Sequence, residues 1–320
     1  MVRQKLYYLK SLGVEVIYFN PLFVSPSNHK YDIQDYDYID PHFGKIVDER
    51  GELLPEGHKE NRKASKYINR VTNKANLEAS NQLFAKVVEE AHRRGMRVIL
   101  DGVFNHVGRG FWAFQDVLKN RENSAYRDWF YRIDFGGNSN YNDGLWYEGW
   151  EGNYDLVKLN LRNDAVKNHI MECVEGWIRE FDIDGLRLDV AYCLDHDFVR
   201  HLRWFCDQKK ADFFLVGEML HGDYNQMVND SMLHSATNYE CYKGLYSSFN
   251  SMNMFEINHS LLRQFGPENW TLYKGKHLLS FVDNHDVNRI ASNLTNEKHL
   301  PLIYALRAPD LPLCKAGLYH

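Results

Sequence analysis

Three carboxylates stand at the downstream ends of short apolar runs: Asp189 after Gly185-Leu186-Arg187-Leu188, Glu218 after Phe214-Leu215-Val216-Gly217, and Asp286 after Phe281-Val282-Asp283-Asn284-His285. Carboxyl groups in different environments can divide a reaction, one passing a proton while another attacks or steadies positive charge. Cleavage of a glycosidic bond needs that division, because the leaving oxygen must be protonated as the sugar carbon becomes cationic. Runs of this length read as strands buried on both faces. Acids just past the ends of parallel strands are where barrel enzymes place their chemistry.

The positioning elements alternate along the chain. Val14 to Phe19 is the first strand candidate, ending at Asn20-Pro21. Leu77 to Arg94 has a helical period, with Leu83, Phe84, Val87, Val88 and Ala91 on one face, Asn76 as its cap and Gly95 as its stop. Val98 to Asp101 follows as a strand. Asp164 caps a helix carrying Val166, Ile170, Val174, Trp177, Ile178 and Phe181, which leads into the strand ending at Asp189. Next come a helix from Asp195 to Gln208, the strand ending at Glu218, a weak strand at Ala236 to Tyr239, a helix near Met254 to Gln264, and a strand ending at Asp283. The step from 189 to 218 is about one strand-helix-strand repeat and that from 218 to 286 about two, a spacing that brings the acids to one rim.

The predicted fold is an α/β (β/α)8 barrel seen in part, a single catalytic domain over residues 1–320. Strands 2 to 7 are recognisable, whereas a closed barrel has eight. Met1 falls inside a helix (Gln4 to Leu12), leaving the first strand missing, and Arg307-Ala308-Pro309-Asp310-Leu311-Pro312 lacks the apolar run of an eighth. Two connections exceed the usual length. Residues 45–76, after strand 2, read as a polar, mobile insertion with no chemistry of its own. Residues 107–155, after strand 3, are rich in Trp, Tyr, Gly and Asn and read as a substrate-binding excursion at the active rim.

Composition excludes several classes of partner. A chain of 320 residues with 44% hydrophobic and 25% charged side chains can bury a large core. Its net charge of -5, with both signs interspersed, makes no basic field for nucleic acid. No run of about twenty apolar residues offers a membrane span. The aromatic share of 14% gathers partly in connecting segments, at Phe111-Trp112, Trp129-Phe130-Tyr131 and Trp146-Tyr147, where flat rings suit sugar faces. Cys173, Cys193, Cys206, Cys241 and Cys314 form no CxxC pair, and Lys10 and Glu15 interrupt the one apolar stretch near the start. Reduced thiols and the lack of a secretory signal place the protein in the cytoplasm.

Four strand-end signatures occur in order: Asp101-Gly102-Val103-Phe104-Asn105-His106, Gly185 to Asp189, Val216-Gly217-Glu218, and Phe281 to Asp286. On these residues the chain resembles the α-amylase family of glycoside hydrolases (family 13), from about Gln4 to about Ala305. Ser25-Pro26-Ser27-Asn28-His29-Lys30-Tyr31-Asp32, Asp189-Val190-Ala191 and Leu159-Asn160 make it most similar to the neopullulanase, cyclomaltodextrinase and maltogenic amylase group. It departs from that group at two places. The usual Met-Pro-Lys-Leu-Asn is Leu156-Val157-Lys158-Leu159-Asn160 here, and the usual Ala-Asn-Glu is Ala191-Tyr192-Cys193.

The resemblance implies a retaining glycosidase that cleaves α-1,4-glucosidic bonds in maltodextrins, cyclodextrins or starch through a covalent glycosyl-enzyme. Asp189 would be the nucleophile, Glu218 the general acid and base, and Asp286 a holder of sugar hydroxyls. The first two carboxyls would then lie roughly 5 to 5.5 Å apart, and a separation beyond about 8 Å would count against the mechanism. Arg187, on the same strand face two positions back, would keep Asp189 ionised. His106 and His285 would hold the reactive sugar and Tyr31 would stack beneath it. Neither histidine has HxH or HExxH spacing, so hydrogen bonding fits better than metal ligation.

No cofactor is required by the resemblance. Asn105 matches a calcium ligand in many amylases, although the group most resembled often lacks that site, so a structural calcium stays open. Asp101 reads equally as a structural acid bonding backbone near the rim, and Asp283 as structural. Trp146 and Trp150 read as loop-packing rings or sugar platforms, and Cys193 and Cys206 as small buried apolar side chains. The expected partner is an α-glucan oligosaccharide, with a homodimer left open for the full-length form. Two further readings remain: a truncated, inactive fragment of such an enzyme, and a non-catalytic carbohydrate-binding relative. The retained acids and the lack of a span speak against the latter.

Overall fold

The structure is a computed structural model that describes residues 2–58, 60, 63–306 and 316–318. Its centre is a six-stranded parallel sheet. In spatial order the strands are Ser235–Ala236, Phe214–Gly217, Gly185–Leu188, Arg97–Gly102, Val16–Phe19 and Ala316–Leu318. Helices Val2–Ser11, Lys74–His92, Asp164–Phe181 and His196–Lys209 alternate with the strands, as a βα barrel requires. Leu100, Leu186, Leu188 and Leu215 on the sheet join Phe84, Val88, Ile170, Val174, Trp177, Phe198 and Leu202 on the helices in one core. All four residues of Gly185–Leu188 are buried, which is why this strand reads as an unbroken run with no alternation.

Helix starts shift by a few residues for one physical reason. Asn163, not Asp164, caps Asp164–Phe181, its side chain accepting from the amides of Ala165 and Val166. Asn73, not Asn76, caps Lys74–His92. Where two polar residues compete, the one whose backbone stays extended becomes the cap. Asn76 instead lies buried in the first turn, and its Oδ1 accepts from the amides of Val47 and Asp48 at 2.7 and 2.8 Å.

The later strands differ more. The weak strand is Ser235–Ala236, and Tyr239 already belongs to a helix, Tyr239–Ser251, capped by Asn238. The run ending at Asp283 is not a strand. A single parallel bridge, Thr237 to Leu279, joins it to the sheet. Beyond Leu279 the side chains pack elsewhere: Phe281 stacks on Tyr242 with centroids 5.0 Å apart, and Val282 packs with Phe249, Ile290 and Ile303.

No strand was expected after Leu306, yet Ala316–Leu318 pairs in parallel with Val16–Tyr18. Three residues suffice because the ladder is made by backbone groups, and Val16–Tyr18 offers a free edge there. Arg307 to Pro312, on which that expectation rested, lies outside the described residues, as does Cys314.

Both long connections carry structure of their own. Residues 45–76, expected to be mobile, contain the helix Ser65–Thr72 and are bonded to the body through Asn76 and through Ser80, whose Oγ accepts from the Lys45 amide at 3.0 Å. The excursion after Arg97–Gly102 folds as a three-stranded antiparallel sheet, His106–Gly108 beside Asn153–Lys158 beside Gly149–Trp150, with the helix Trp112–Asn120. Phe114, Phe130 and Tyr147 bury their rings edge to face inside it.

Candidate active site

Strand register assembles the site. Asp101 pairs with Arg187, and Arg187 pairs with Val216. Side chains alternate along a strand, so Asp189 and Glu218, two residues past those partners, share the face of Arg187. Tyr18 pairs with Ile99, two residues before Asp101, and so points the same way. Gly217 makes the crossing possible: a Cβ there would lie 2.3 Å from Leu233 Cδ1 and 2.8 Å from the Ala191 Cβ.

One buried guanidinium holds three carboxylates. Arg187 Nη1 donates to both oxygens of Asp101 at 3.0 Å and to Asp189 Oδ1 at 2.9 Å, while Nη2 reaches Glu218 Oε1 at 2.8 Å. The facing oxygens of Asp189 and Glu218 therefore lie within roughly 8 Å of each other, the span of one guanidinium fork and its two bonds. Glu218 Oε2 also accepts from the Val190 amide at 2.9 Å. Val190 adopts φ 39°, ψ 48°, a left-handed conformation that a β-branched residue avoids, and this turn sends its N–H to Glu218 rather than along the ladder.

Arg187 does not hold Asp189 low, as the sequence reading expected. Burial pushes the Asp189 carboxyl well above its ordinary range. Arg187 opposes the rise, but Asp101 and Glu218 add to it. The cause is sharing: one positive charge serves three acids, and burial penalises the charge left over. Asp101 is raised too, chiefly by burial, with Arg187 and the Tyr18 hydroxyl opposing. Asp101 bonds side chains, not backbone, for Tyr18 and Tyr31 both donate to its Oδ2, the latter at 3.2 Å.

His106 faces Asp189 from the other side. It is buried, and burial lowers its imidazole to about 3, so the ring is neutral near pH 7. Nδ1 accepts from Asn105 Nδ2 at 3.1 Å, an arrangement that puts the ring proton on Nε2. Nε2 lies 3.9 Å from Asp189 Oδ2 and has no hydrogen-bond partner among the described residues. A buried donor without a partner at an acidic site suits a hydroxylated ligand. The Trp150 ring lies 5.8 Å from that of His106, bringing the excursion to the site.

Tyr31, His285 and Asp286 form a second group. The Tyr31 hydroxyl bonds His285 Nε2 at 2.6 Å, and its ring lies near-parallel to the His285 ring, 6.0 Å away. Tyr31 joins the two groups through Asp101. Asp286 is exposed; its carboxylate lies 3.1 Å from His285 Nε2, and no described contact joins it to Asp189 or Glu218. Asp283 is structural, with Oδ2 accepting from the Ile290 amide at 2.9 Å. Trp146 is a packing ring whose Nε1 donates to the Tyr154 hydroxyl. Cys206 is buried, but Cys193 is only half-buried and lines the cavity beside Asn105, correcting the expectation that both are core residues.

The surroundings of Asn105 do not fit calcium. Its cavity, about 510 Å³, is lined by Lys158, Arg162 and Arg200 as well as Asp195 and Asp197. Arg162 occupies Asp195 at 2.9 Å, and Arg200 pairs with Asp197. A hard cation needs several free oxygens, and no group of three or more His, Cys, Asp or Glu able to hold a metal occurs among the described residues. Tyr18, the Val190 amide and the hub role of Asp101 were missed in the sequence. A tyrosine inside an apolar strand was the one available signal for the first.

Barrel enzymes place their chemistry at the C-terminal ends of parallel strands, and glycoside cleavage uses paired carboxylates such as those gathered there. The alpha-amylase catalytic domain matches residues 2–68 and 79–308, and the chain belongs to that family, whose fold is a (β/α)8 barrel. It is 33% identical to an intracellular maltogenic amylase of Bacillus subtilis (strain 168) over 92% of this chain and 43% of that protein. It is 31% identical to a cyclomaltodextrinase of Thermoanaerobacter pseudethanolicus over 98% of this chain and 49% of that one. A solved cyclic alpha-maltosyl-(1-->6)-maltose hydrolase from Arthrobacter globiformis superposes with a TM-score of 0.76 at 25% identity, covering 99% of this chain and 63% of that one. The chain thus spans less than half the length of the two sequence relatives.

Proposed function

We propose that the site cleaves α-1,4-glucosidic bonds of maltodextrins, cyclodextrins or starch with retention at the anomeric carbon. Asp189 attacks and Glu218 protonates the leaving oxygen, then activates water. Asp286 and His285 hold sugar hydroxyls, His106 donates to another, and Tyr31 lies beneath the ring. The observation that supports the reading is Arg187 bonding Asp189 and Glu218 with one fork, which gathers a nucleophile and an acid at one point of the sheet; the retaining route itself is carried over from the family resemblance. Residues 107–155 would contribute to the sugar site through Trp150, whose ring lies 5.8 Å from that of His106. Reduced cysteines and a relative named as intracellular support a cytoplasmic setting. No described helix is long and apolar enough to cross a membrane.

The test is cleavage of maltoheptaose by residues 1–320, with the first-formed anomer read by NMR. The expected product is the α-anomer, and Asp189→Asn lowers turnover by about three orders of magnitude or more while the far-UV spectrum stays unchanged. A β-anomer, or an Asp189→Asn variant near wild-type turnover, rejects the mechanism.

A further inference from the structure

We infer that the 45–76 segment sets the position of the sugar platform: Tyr67 on its helix is a positioning residue for the loop that carries Tyr31. The inference rests on the glucan reading above. The loop from Ser25 to Asp32 has an unusual interior. Lys30 is buried, in a left-handed conformation (φ 65°), and its ammonium is paired with the fully buried Asp40 at 2.6 Å. The same ammonium donates to the carbonyl of Ser25 at 2.9 Å. Asp40 accepts as well from the amide and Nδ1 of His42, at 2.9 and 2.8 Å.

Tyr67 closes this arrangement from outside. Its ring stacks on His42, 4.8 Å away and 19° from parallel, and its hydroxyl donates to the Ser25 carbonyl at 3.4 Å, the acceptor Lys30 also uses. The Ser25 hydroxyl in turn donates to Asp32 Oδ1 at 2.8 Å, and Ser27 donates to the same oxygen. Tyr31 sits between Lys30 and Asp32, so both residues flanking the platform are fixed by groups that meet at Ser25. A buried ion pair without packing over it admits water and loosens. The helix Ser65–Thr72 supplies that packing, held in place by Asn69 and Asn73, which donate to Asp48. A long polar connection is thereby given work at the site.

Hydrogen exchange and glucan kinetics test this together. In Tyr67→Ala, amides of residues 27–34 exchange about tenfold faster, while helix Asp164–Phe181 is unchanged and Tm stays within about 2 °C. KM for maltoheptaose rises about five- to tenfold with kcat within about twofold, because a displaced ring weakens ground state and transition state alike. Tyr67→Phe, which keeps the ring on His42, recovers most of both effects. Ile68→Ala, on the exposed side of the same helix, moves neither. Unchanged exchange at 27–34 overturns the inference, and so does faster exchange with an unaltered KM. If the wild type neither binds nor cleaves glucans, the functional reading fails, and the positioning role is judged by exchange alone.

Discussion

Acid titration of stability isolates His106 without any substrate. Burial, with a smaller push from His29, lowers its imidazole from 6.5 to about 3. Below pH 6.5 the unfolded chain takes up a proton at this residue that the folded chain refuses. The neutral ring therefore contributes stability that is complete above pH 6.5 and is lost as pH falls toward 3, at about 1.4 kcal/mol per pH unit. Between pH 6.5 and 4.5 the loss is about 3 kcal/mol. Asp189 works in the opposite sense, since its raised carboxyl favours the fold at low pH and ceases to do so as pH rises through its folded value. A His106→Gln variant keeps a neutral donor beside Asp189, 3.9 Å from His106 Nε2 in the wild type, so the difference between the two curves reports chiefly the imidazole. Urea denaturation by tryptophan fluorescence at half-unit steps from pH 7.5 to 4.5 should give a curve for the variant flatter by about 1.4 kcal/mol per unit below pH 6.5, at equal m. Parallel curves would refute the claim that the ring is held neutral.

Substitutions at two positions, Arg187 and Gly217, test the strand-end cluster. Arg187→Met leaves three buried carboxylates without the cation they share, which should cost about 3–5 kcal/mol and lower Tm by roughly 10 °C; calorimetry showing a fall under about 2 °C contradicts the network. Arg187→Lys should recover less than half, because one ammonium cannot replace a fork. Gly217→Ala should destabilise by about 1–3 kcal/mol and reduce kcat more than it raises KM, since the new Cβ meets Leu233 and Ala191 and shifts Glu218. Gly176→Ala is the control: a Cβ there has open space, and the helix should gain about 0.5–1 kcal/mol.

What the sequence made legible follows from what each signal depends on. Arg97–Gly102, Gly185–Leu188 and Phe214–Gly217 are central strands covered on both faces, so their apolar runs mark them plainly, and the acids at their ends came with them. The run ending at Asp283 has similar composition but forms one bridge, because its Phe281 ring is drawn into packing with Tyr242 and Tyr239; composition does not record which neighbour wins. Ala316–Leu318 has the reverse history, a strand made by an available backbone edge with little apolar sequence. Residues 45–76 looked like solvent-facing chain since their order comes from Asn and Asp side chains bonding backbone, a pattern identical in composition to a loose loop. Arg187 was visible as a buried cation; that it would serve three acids was not, because this follows from register across three strands.

That sharing bears on how the site carries its charge. With Asp101, Asp189 and Glu218 all ionised around one guanidinium, a buried net charge of two would remain, which burial penalises. The three acids differ in the donors they receive. Asp101 receives Tyr18, Tyr31 and Arg187, Glu218 receives Arg187 and the Val190 amide, and among the described hydrogen bonds Asp189 receives Arg187 alone. Asp189, the carboxylate with the fewest donors, is raised well above its ordinary range by burial, Asp101 and Glu218 against the pull of Arg187. In the proposed reaction Asp189 attacks as the carboxylate, so a bound glucan has to favour its ionised form. On that reading, a glucan that draws His106 Nε2–H and its own hydroxyls toward Asp189 would add donors and favour the ionised carboxyl. The unpartnered imidazole and the raised aspartate are, on that reading, two sides of one unfinished hydrogen-bond set, which the proposed substrate would complete.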